Sequence, residues 1–296
     1  MRSFTTREAM DAGMTRGRLR GGDLEKVSRG IRRPLGKELE RVLALRGYTD
    51  LDDQSVISDV TAASVGGIPL PADVDELIHV SRDSDRPQAR RAGVVGHRTV
   101  LFPDEVVMLH GLRITSPART WLDLARTLTL WDLVVAGDHL VNEHGPDHPF
   151  PKVPICTVDD LQSVLRRHGK KQGIVKARAA LELIRVGADS PRETKARLLL
   201  RRHGLPEPEL NIVLYDRNGR AVVWPDLGYR NARISIQYDG EVHGEGKKYL
   251  RDIEREVRTR ELGWEQVRVG SRDLEGRQPR IVQRVEAALR RADALL

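Results

Sequence analysis

Two carboxylates, an amide and an imidazole lie close together in residues 224–264, WPDLGYRNARISIQYDGEVHGEGKKYLRDIEREVRTRELGW. Asp226 follows a short apolar run, Ala221–Val223. A second run, residues 233–238, delivers Asp239 and then, past Gly240 and Glu241, His243. Side chains alternate along a strand, so Ile234, Ile236 and Tyr238 share one face while Arg233, Ser235, Gln237 and Asp239 share the other. If the two runs are neighbouring strands, Asp226 and Asp239 meet at one end and can hold one dication. Magnesium or manganese suits such a corner, because hard cations take oxygen ligands and keep positions for water and phosphate. The ion would polarise a phosphoryl oxygen and lower the pKa of a bound water. His243 stands where it can move a proton near neutral pH. Gln237 can lend a carbonyl oxygen but no charge.

Taken singly, each of these residues has a plainer explanation. An Asp after a Pro is a turn former, Asp239-Gly240 is a hairpin signal, and a lone His is commonly a surface or core residue. The order strand, Asp, turn, strand, Asp-Gly, His, basic helix, strand is what points to a site. Flanking elements must hold it. Ser190-Pro191-Arg192-Glu193 opens a helix with Ser190 as its cap and Glu193 as the capping-box acid. Residues 212–215 and Ala221–Val223 read as a hairpin about Asp216-Arg217-Asn218-Gly219. Residues 247–262 read as a basic helix, Glu265–Val269 as a strand, and residues 278–295 as a closing amphipathic helix.

PDLGY, ISIQYDGEVH, the helix with Asp252 and Arg255, and LGWEQVRV together resemble the PD-(D/E)XK nuclease superfamily, over residues 190–274. Within it they look most like the branch related to very-short-patch repair endonuclease. The resemblance implies an α/β, restriction-endonuclease-like core, a mixed sheet flanked by helices, that hydrolyses phosphodiester bonds with magnesium or manganese. It implies Asp226 as the metal-binding Asp and Asp239 as the last position of the E-x-K or E-x-D motif. Glu193 would be the acid of the first helix and His243 the histidine after the glycine. Gln237 stands where that motif usually carries Glu, so metal affinity should fall; the repair endonuclease also lacks this Glu. Asp239 occupies the place of the superfamily's lysine, and Lys247 and Lys248 are the nearest substitutes for it.

At 296 residues the chain has room for two or three modest domains. With 39% hydrophobic and 31% charged residues it has the composition of a soluble protein. No apolar run approaches bilayer length, and MRSFTTREAMDAG lacks the apolar centre of a signal peptide. A cytoplasmic protein with no membrane partner is therefore expected. The single cysteine, Cys156, excludes an internal disulfide and a cysteine-based zinc cage, and reads as a small buried residue. The net charge of +7 suits a polyanionic partner. Its surplus is concentrated: residues 159–202 carry 12 Lys and Arg against 5 Asp and Glu, and residues 1–36 carry 9 against 4.

Residues 3–35 read as a winged helix-turn-helix. Thr5-Thr6-Arg7-Glu8 is a capping box, and Gly13 closes the first helix. Met14-Thr15 opens a second carrying Arg16, Arg18 and Arg20, and a hairpin wing follows with Arg32 and Arg33. The stretch is similar to the N-terminal domain of AbiEi-type antitoxins, which implies DNA binding and self-regulation in a toxin-antitoxin setting. An arginine-rich helical cap is the plainer alternative. Residues 37–150 read as an α+β middle domain, with helices at 58–64, after the Ser116 cap, and over Leu130–Val141, and strands at 76–81 and 93–97. Its SPARTWLDLA stretch is similar to the body of AbiEi-type proteins. His79, His97, His110, His139, His144 and His148 are scattered through it. Gly145 and Pro146 break any helix between His144 and His148, so zinc is not expected and surface histidines are. Residues 151–189 read as a basic helical connector and residues 190–296 as the endonuclease-like domain.

The leading expectation is a divalent-metal-dependent DNA endonuclease acting on double-stranded DNA. Arg16, Arg18, Arg20, Arg32, Arg33, Lys247, Lys248, Arg251 and Arg255 would supply phosphate contacts. The alternative is a catalytically inactive, antitoxin-like DNA-binding regulator with a degenerate nuclease core. RNA as substrate and a homodimer both stay open.

Overall fold

The computed structural model describes residues 2–35, 41–51, 54–146, 148–239 and 246–293, with backbone alone for residue 41 and residues 246–252. The fold is mixed α/β, several sheets flanked by helices, and no described helix is long and apolar enough to cross a membrane. Two compact units form: Met1–Thr129 with Asp159–Arg178, and Leu130–Val158 with Ala179–Leu296. The expected succession of four parts along the chain therefore gives way to an interleaved path. The basic connector expected over residues 151–189 is not a separate part.

The first unit opens with β1 (Phe4–Thr5), α1 (Thr6–Asp11), β2 (Leu24–Ser28) and β3 (Ile31–Pro34), the strands in the order β1-β3-β2. Thr5 caps α1, its Oγ1 accepting the Glu8 N–H at 3.0 Å. The second helix expected after Met14 is only a single 3-10 turn, Arg18–Arg20, because Gly17 and Gly21 bracket it. The expected hairpin forms, turning through Gly30 at φ +79°. Next come α2 (Arg41–Thr49), β4 (Val56–Ile57), α3 (Asp59–Val65), β5 (Ile78–Arg82), β6 (Val94–Arg98), β7 (Val106–Leu109), β8 (Leu112–Thr115) and α4 (Pro117–Leu124). The five strands make one mixed sheet, β6-β5-β4-β8-β7, with β5 parallel to β6 and β4 parallel to β8. Ile31, Leu45, Tyr48, Ile57, Val80, Leu112 and Ile114 bury their alternate faces in one core.

The chain passes to the second unit as α5 (Leu130–Val141), returns as α6 (Val158–Arg167), and leaves again along α7 (Ile174–Leu183). Within the first unit α6 is fixed by charge: His168, just past its end, lies 2.7 Å from Glu105, and Arg167 donates to Asp104 at 2.5 Å. Glu105 also accepts from Arg119, which is fully buried on α4.

The second unit continues with α8 (Pro191–Arg202), β9 (Glu209–Leu210), β10 (Leu214–Tyr215), β11 (Ala221–Val223), β12 (Leu227–Tyr229), β13 (Ile234–Tyr238), α9 (Gly246–Glu261), β14 (Glu265–Val269) and α10 (Arg280–Asp293). Its sheet runs β14-β13-β12-β9, with β12 antiparallel to β13 and β13 parallel to β14 across the α9 crossover. Leu199, Leu200, Leu227, Ile234, Ile236, Val267, Val269, Ile281 and Val285 form the core between sheet and helices. Gly228 on β12 lets two strands close: a Cβ there would stand 2.8 Å from the Ile234 carbonyl oxygen and clash with Ile212 Cδ1. Gly228→Ala is expected to cost about 1–3 kcal/mol through this overpacking, read as a lower urea midpoint at unchanged slope.

Candidate active site

Asp226 immediately precedes β12, and the antiparallel pairing Leu227↔Ile236 sets it opposite the end of β13. Its Oδ2 accepts the Tyr238 backbone N–H at 2.6 Å and the Gln237 amide at 2.7 Å. The strand beside β13 is thus the one that follows Asp226. The expected neighbour, β11, pairs instead with β10 in a separate hairpin. The sequence concealed β12 because its three residues include Gly228 and follow a Pro-Asp turn signal.

Glu193 sits in the first turn of α8, where the capping geometry holds it. Ser190 Oγ accepts the Glu193 N–H at 3.3 Å and donates to Glu193 Oε1 at 2.8 Å, while the Asp189 N–H donates to Oε2 at 2.8 Å. This structural duty does not take the residue away from the corner. Burial first, and then the Asp226 charge, push the Glu193 carboxyl up to about 8. Burial likewise pushes Asp226 up to about 6, although the Tyr238 N–H, Gln237 and the Arg255 cation oppose the rise. Asp189, which sequence reading passed over, raises both.

The other site residues are distributed differently from expectation. Asp239 does not join Asp226: its Oδ2 accepts from Arg268 through Nε and a terminal nitrogen, both at 2.8 Å. The parallel pairing of β13 with β14 puts Gln237 opposite Arg268, which brings that guanidinium within reach. Asp239 is thus engaged by Arg268, while Gln237 bonds Asp226 and the Asp226 charge acts on Glu193. His243, and the side chains of Lys247, Lys248 and Arg251, lie outside the described residues. Arg255 on α9 is half-buried and acts electrostatically on Asp226.

At the N-terminal module Arg16 and Arg20 are exposed. Arg18 is instead engaged by Asp23 through two bonds of 2.7 and 2.6 Å, and Arg33 by Glu25 at 2.7 Å. Arg32 donates to the Leu19 and Ile31 carbonyls. Three of the five expected phosphate contacts thus have partners within the module. Cys156 is half-buried where a fully buried residue was expected.

Two desolvated carboxylates, Asp226 raising the pKa of Glu193, with an amide group alongside, form a donor set that a hard dication would neutralise. The fit belongs to Glu193, Asp226 and the Gln237 carbonyl; Asp239 would first have to leave Arg268. Glu193 also gives the site a pH signature. Its carboxyl ionises near 4.5 in the unfolded chain and near 8 in the folded one. The folded state therefore retains a proton that the unfolded state has lost, and this stabilisation decays as pH rises through that window. Glu193→Gln is expected to gain on the order of 2 kcal/mol on the wild type between about pH 5 and pH 8.5. Parallel melting curves for the two chains across that range would contradict the coupling.

Four of the six histidines expected to be scattered on the surface are instead drawn into two clusters, while His110 is exposed. His79 is buried beside His97 and Asp59, and His144 is buried beside His148 and Asp189. His144 and His148 meet without a helix, through an isolated bridge from His144 to Lys152.

No family model matches the chain. Two proteins of Mycobacterium tuberculosis, the uncharacterized proteins MT2308 (strain CDC 1551 / Oshkosh) and Rv2248 (strain ATCC 25618 / H37Rv), are each 30% identical to it over 142 residues, 46% of this chain and 51% of theirs. The chain spans about half the length of the curated relatives it matches.

Proposed function

We propose that the second unit is the hydrolytic core of a divalent-metal-dependent DNA endonuclease, restriction-endonuclease-like in its fold, and that the N-terminal module is a winged DNA-binding element. The observation that carries this reading is the meeting of Glu193, Asp226 and Gln237 at the ends of β12 and β13. Two buried carboxylates with no cation at bonding distance among the described residues are costly unless the site has a cation to hold. The mixed sheet of the second unit, with β12 antiparallel and β14 parallel to β13, supports the reading too, since the resemblance implies a mixed sheet flanked by helices.

Asp226, Glu193 and the Gln237 carbonyl would hold magnesium or manganese. When bound, the ion supplies Lewis-acid polarisation of a phosphoryl oxygen and a more acidic water. The chain's own contribution is position. Tyr238 N–H and Gln237 fix the Asp226 carboxylate, the α8 cap fixes Glu193, and Arg255 brings a cation to the same corner. The exposed Arg16 and Arg20 add phosphate affinity, so binding should weaken steeply with salt.

The Asp239–Arg268 pair favours a second reading, a DNA-binding regulator that does not cut, because it withholds one expected carboxylate. Incubating supercoiled plasmid with the full chain in magnesium, in manganese and in EDTA separates the two. Metal-dependent nicking supports the endonuclease. Equally tight DNA binding in EDTA with no nicking in either metal supports the regulator, and cleavage of RNA alone would move the substrate class.

A further inference from the structure

The first unit contains a constellation that the nuclease reading does not use. Parallel pairing of β5 with β6 sets Ser81 beside His97, and His79, two residues before Ser81, lies on the same face. His79 Nδ1 comes to 2.9 Å from His97 Nε2. Asp59 completes the group, Oδ1 at 3.9 Å from His79 Nδ1 and Oδ2 at 3.9 Å from His97 Nε2. One ligand atom from each residue lies within 4.8 Å of the others.

Three features show that these atoms are held in place. The outer nitrogen of His79, Nε2, lies 3.0 and 3.2 Å from the two oxygens of Asp75. That carboxylate keeps the proton on Nε2 and leaves the Nδ1 lone pair facing inward, the outer-shell arrangement that orients metal-bound histidines. Asp59 adopts φ +54°, a left-handed conformation uncommon for a residue with a Cβ, at the junction of β4 and α3. Its carboxylate is then anchored by the Val60 N–H and by Arg126, each at 2.9 Å. Finally, His79 and Asp59 are each only 2% exposed, yet Asp59 and His97 line a cavity of about 470 Å³ that also carries Ser81, Thr99 and Arg126. A pair of inward nitrogens, the His79 one buried and the His97 one partly exposed, opening on a polar cavity leaves room for water or a small anion at the remaining positions.

We propose that Asp59, His79 and His97 form a binding site for a borderline divalent transition metal, zinc by its chemistry, with open coordination positions toward the cavity. Two imidazoles and one carboxylate suit zinc and its neighbours, whereas magnesium prefers oxygen throughout. The competing arrangement needs no ion: His97 Nε2–H would donate to His79 Nδ1, extending a neutral relay from Asp75.

The test uses the untagged full chain, stripped with chelator and titrated with cobalt(II), then with zinc as competitor. Visible ligand-field absorption reports imidazole coordination, and elemental analysis after gel filtration reports the amount bound. One imidazole-ligated ion per chain, displaced by zinc, is expected in addition to any ion at the Asp226 corner. His97→Asn and His79→Asn should abolish the absorption, and Asp75→Asn should weaken binding by roughly 10–100-fold. His148→Asn should leave the absorption unchanged, which separates this site from the second histidine cluster. His97 is partly exposed and tolerates substitution better than His79, so it decides the matter if His79→Asn fails to fold. A wild-type chain that binds no cobalt, or a His97→Asn chain that binds it with wild-type affinity, would overturn the proposal in favour of the relay.

Discussion

Asp226→Asn is expected to nick supercoiled plasmid at the rate of a protein-free control. The fall is on the order of 100-fold or more, equivalent to about 2.7 kcal/mol of barrier. The substitution keeps the shape and removes the charge that a dication would neutralise. Its amide oxygen can still accept from the Tyr238 N–H and the Gln237 amide, which both bond a single carboxylate oxygen, so the local geometry is kept. Asp239→Asn is expected to lose less, because that carboxylate is committed to Arg268 and partly exposed. The rank order matters more than either value. Equal losses would return Asp239 to the metal, and no loss from Asp226→Asn would remove the corner from catalysis altogether.

The largest effect on stability is expected from Arg197→Ala, about 3–5 kcal/mol. Arg197 on α8 is fully buried and donates to Asp138 of α5 at 2.8 Å, to the Leu183 carbonyl at 2.8 Å and to Glu207 at 2.6 Å. Asp138 is itself fully buried and takes further bonds from Thr194 Oγ1 and the Arg185 N–H. Burial pushes the Asp138 carboxyl above its ordinary value, and the Arg197 charge is the main influence pulling it back. Without the guanidinium, a charge in the core loses its partner. The double variant Arg197→Met, Asp138→Leu should recover most of the loss, since it removes both charges. Urea unfolding of the three chains reads this directly, and a single variant no worse than the double would show that the pair carries no such weight.

The local signals in the sequence were read where the physics is local. Ser116 and Ser190 cap their helices as their spacing implied, each accepting the N–H three residues on, and the strands at β5, β6, β13 and β14 fall where alternation and β-branched content placed them. What alternation along one strand cannot report is which strand lies next to it. Gln237 and Asp239 share a face, as expected, but the neighbour that reaches Asp239 is Arg268 from β14, 29 residues on. The same gap hid the histidine cluster. His79 and His97 each look like ordinary strand residues until the β5–β6 register sets them 2.9 Å apart. Glu193 was legible as a cap, and the same capping geometry holds its carboxyl buried under the influence of the Asp226 charge. The short arginine-bearing helix failed for a local reason that spacing understated: flanking glycines confine it to a single turn.

The interleaved chain path limits how this protein can be dissected by truncation. A fragment starting at residue 190 would lack α5, leaving Arg197 in a desolvated position without Asp138, and a fragment ending at residue 150 would lack α6 and the His168 imidazole that Glu105 requires. Either piece should express poorly or aggregate, whatever chemistry it encodes. Autonomous halves would have to be made by splicing out the intervening segments, joining residue 129 to residue 159 in one and residue 158 to residue 179 in the other.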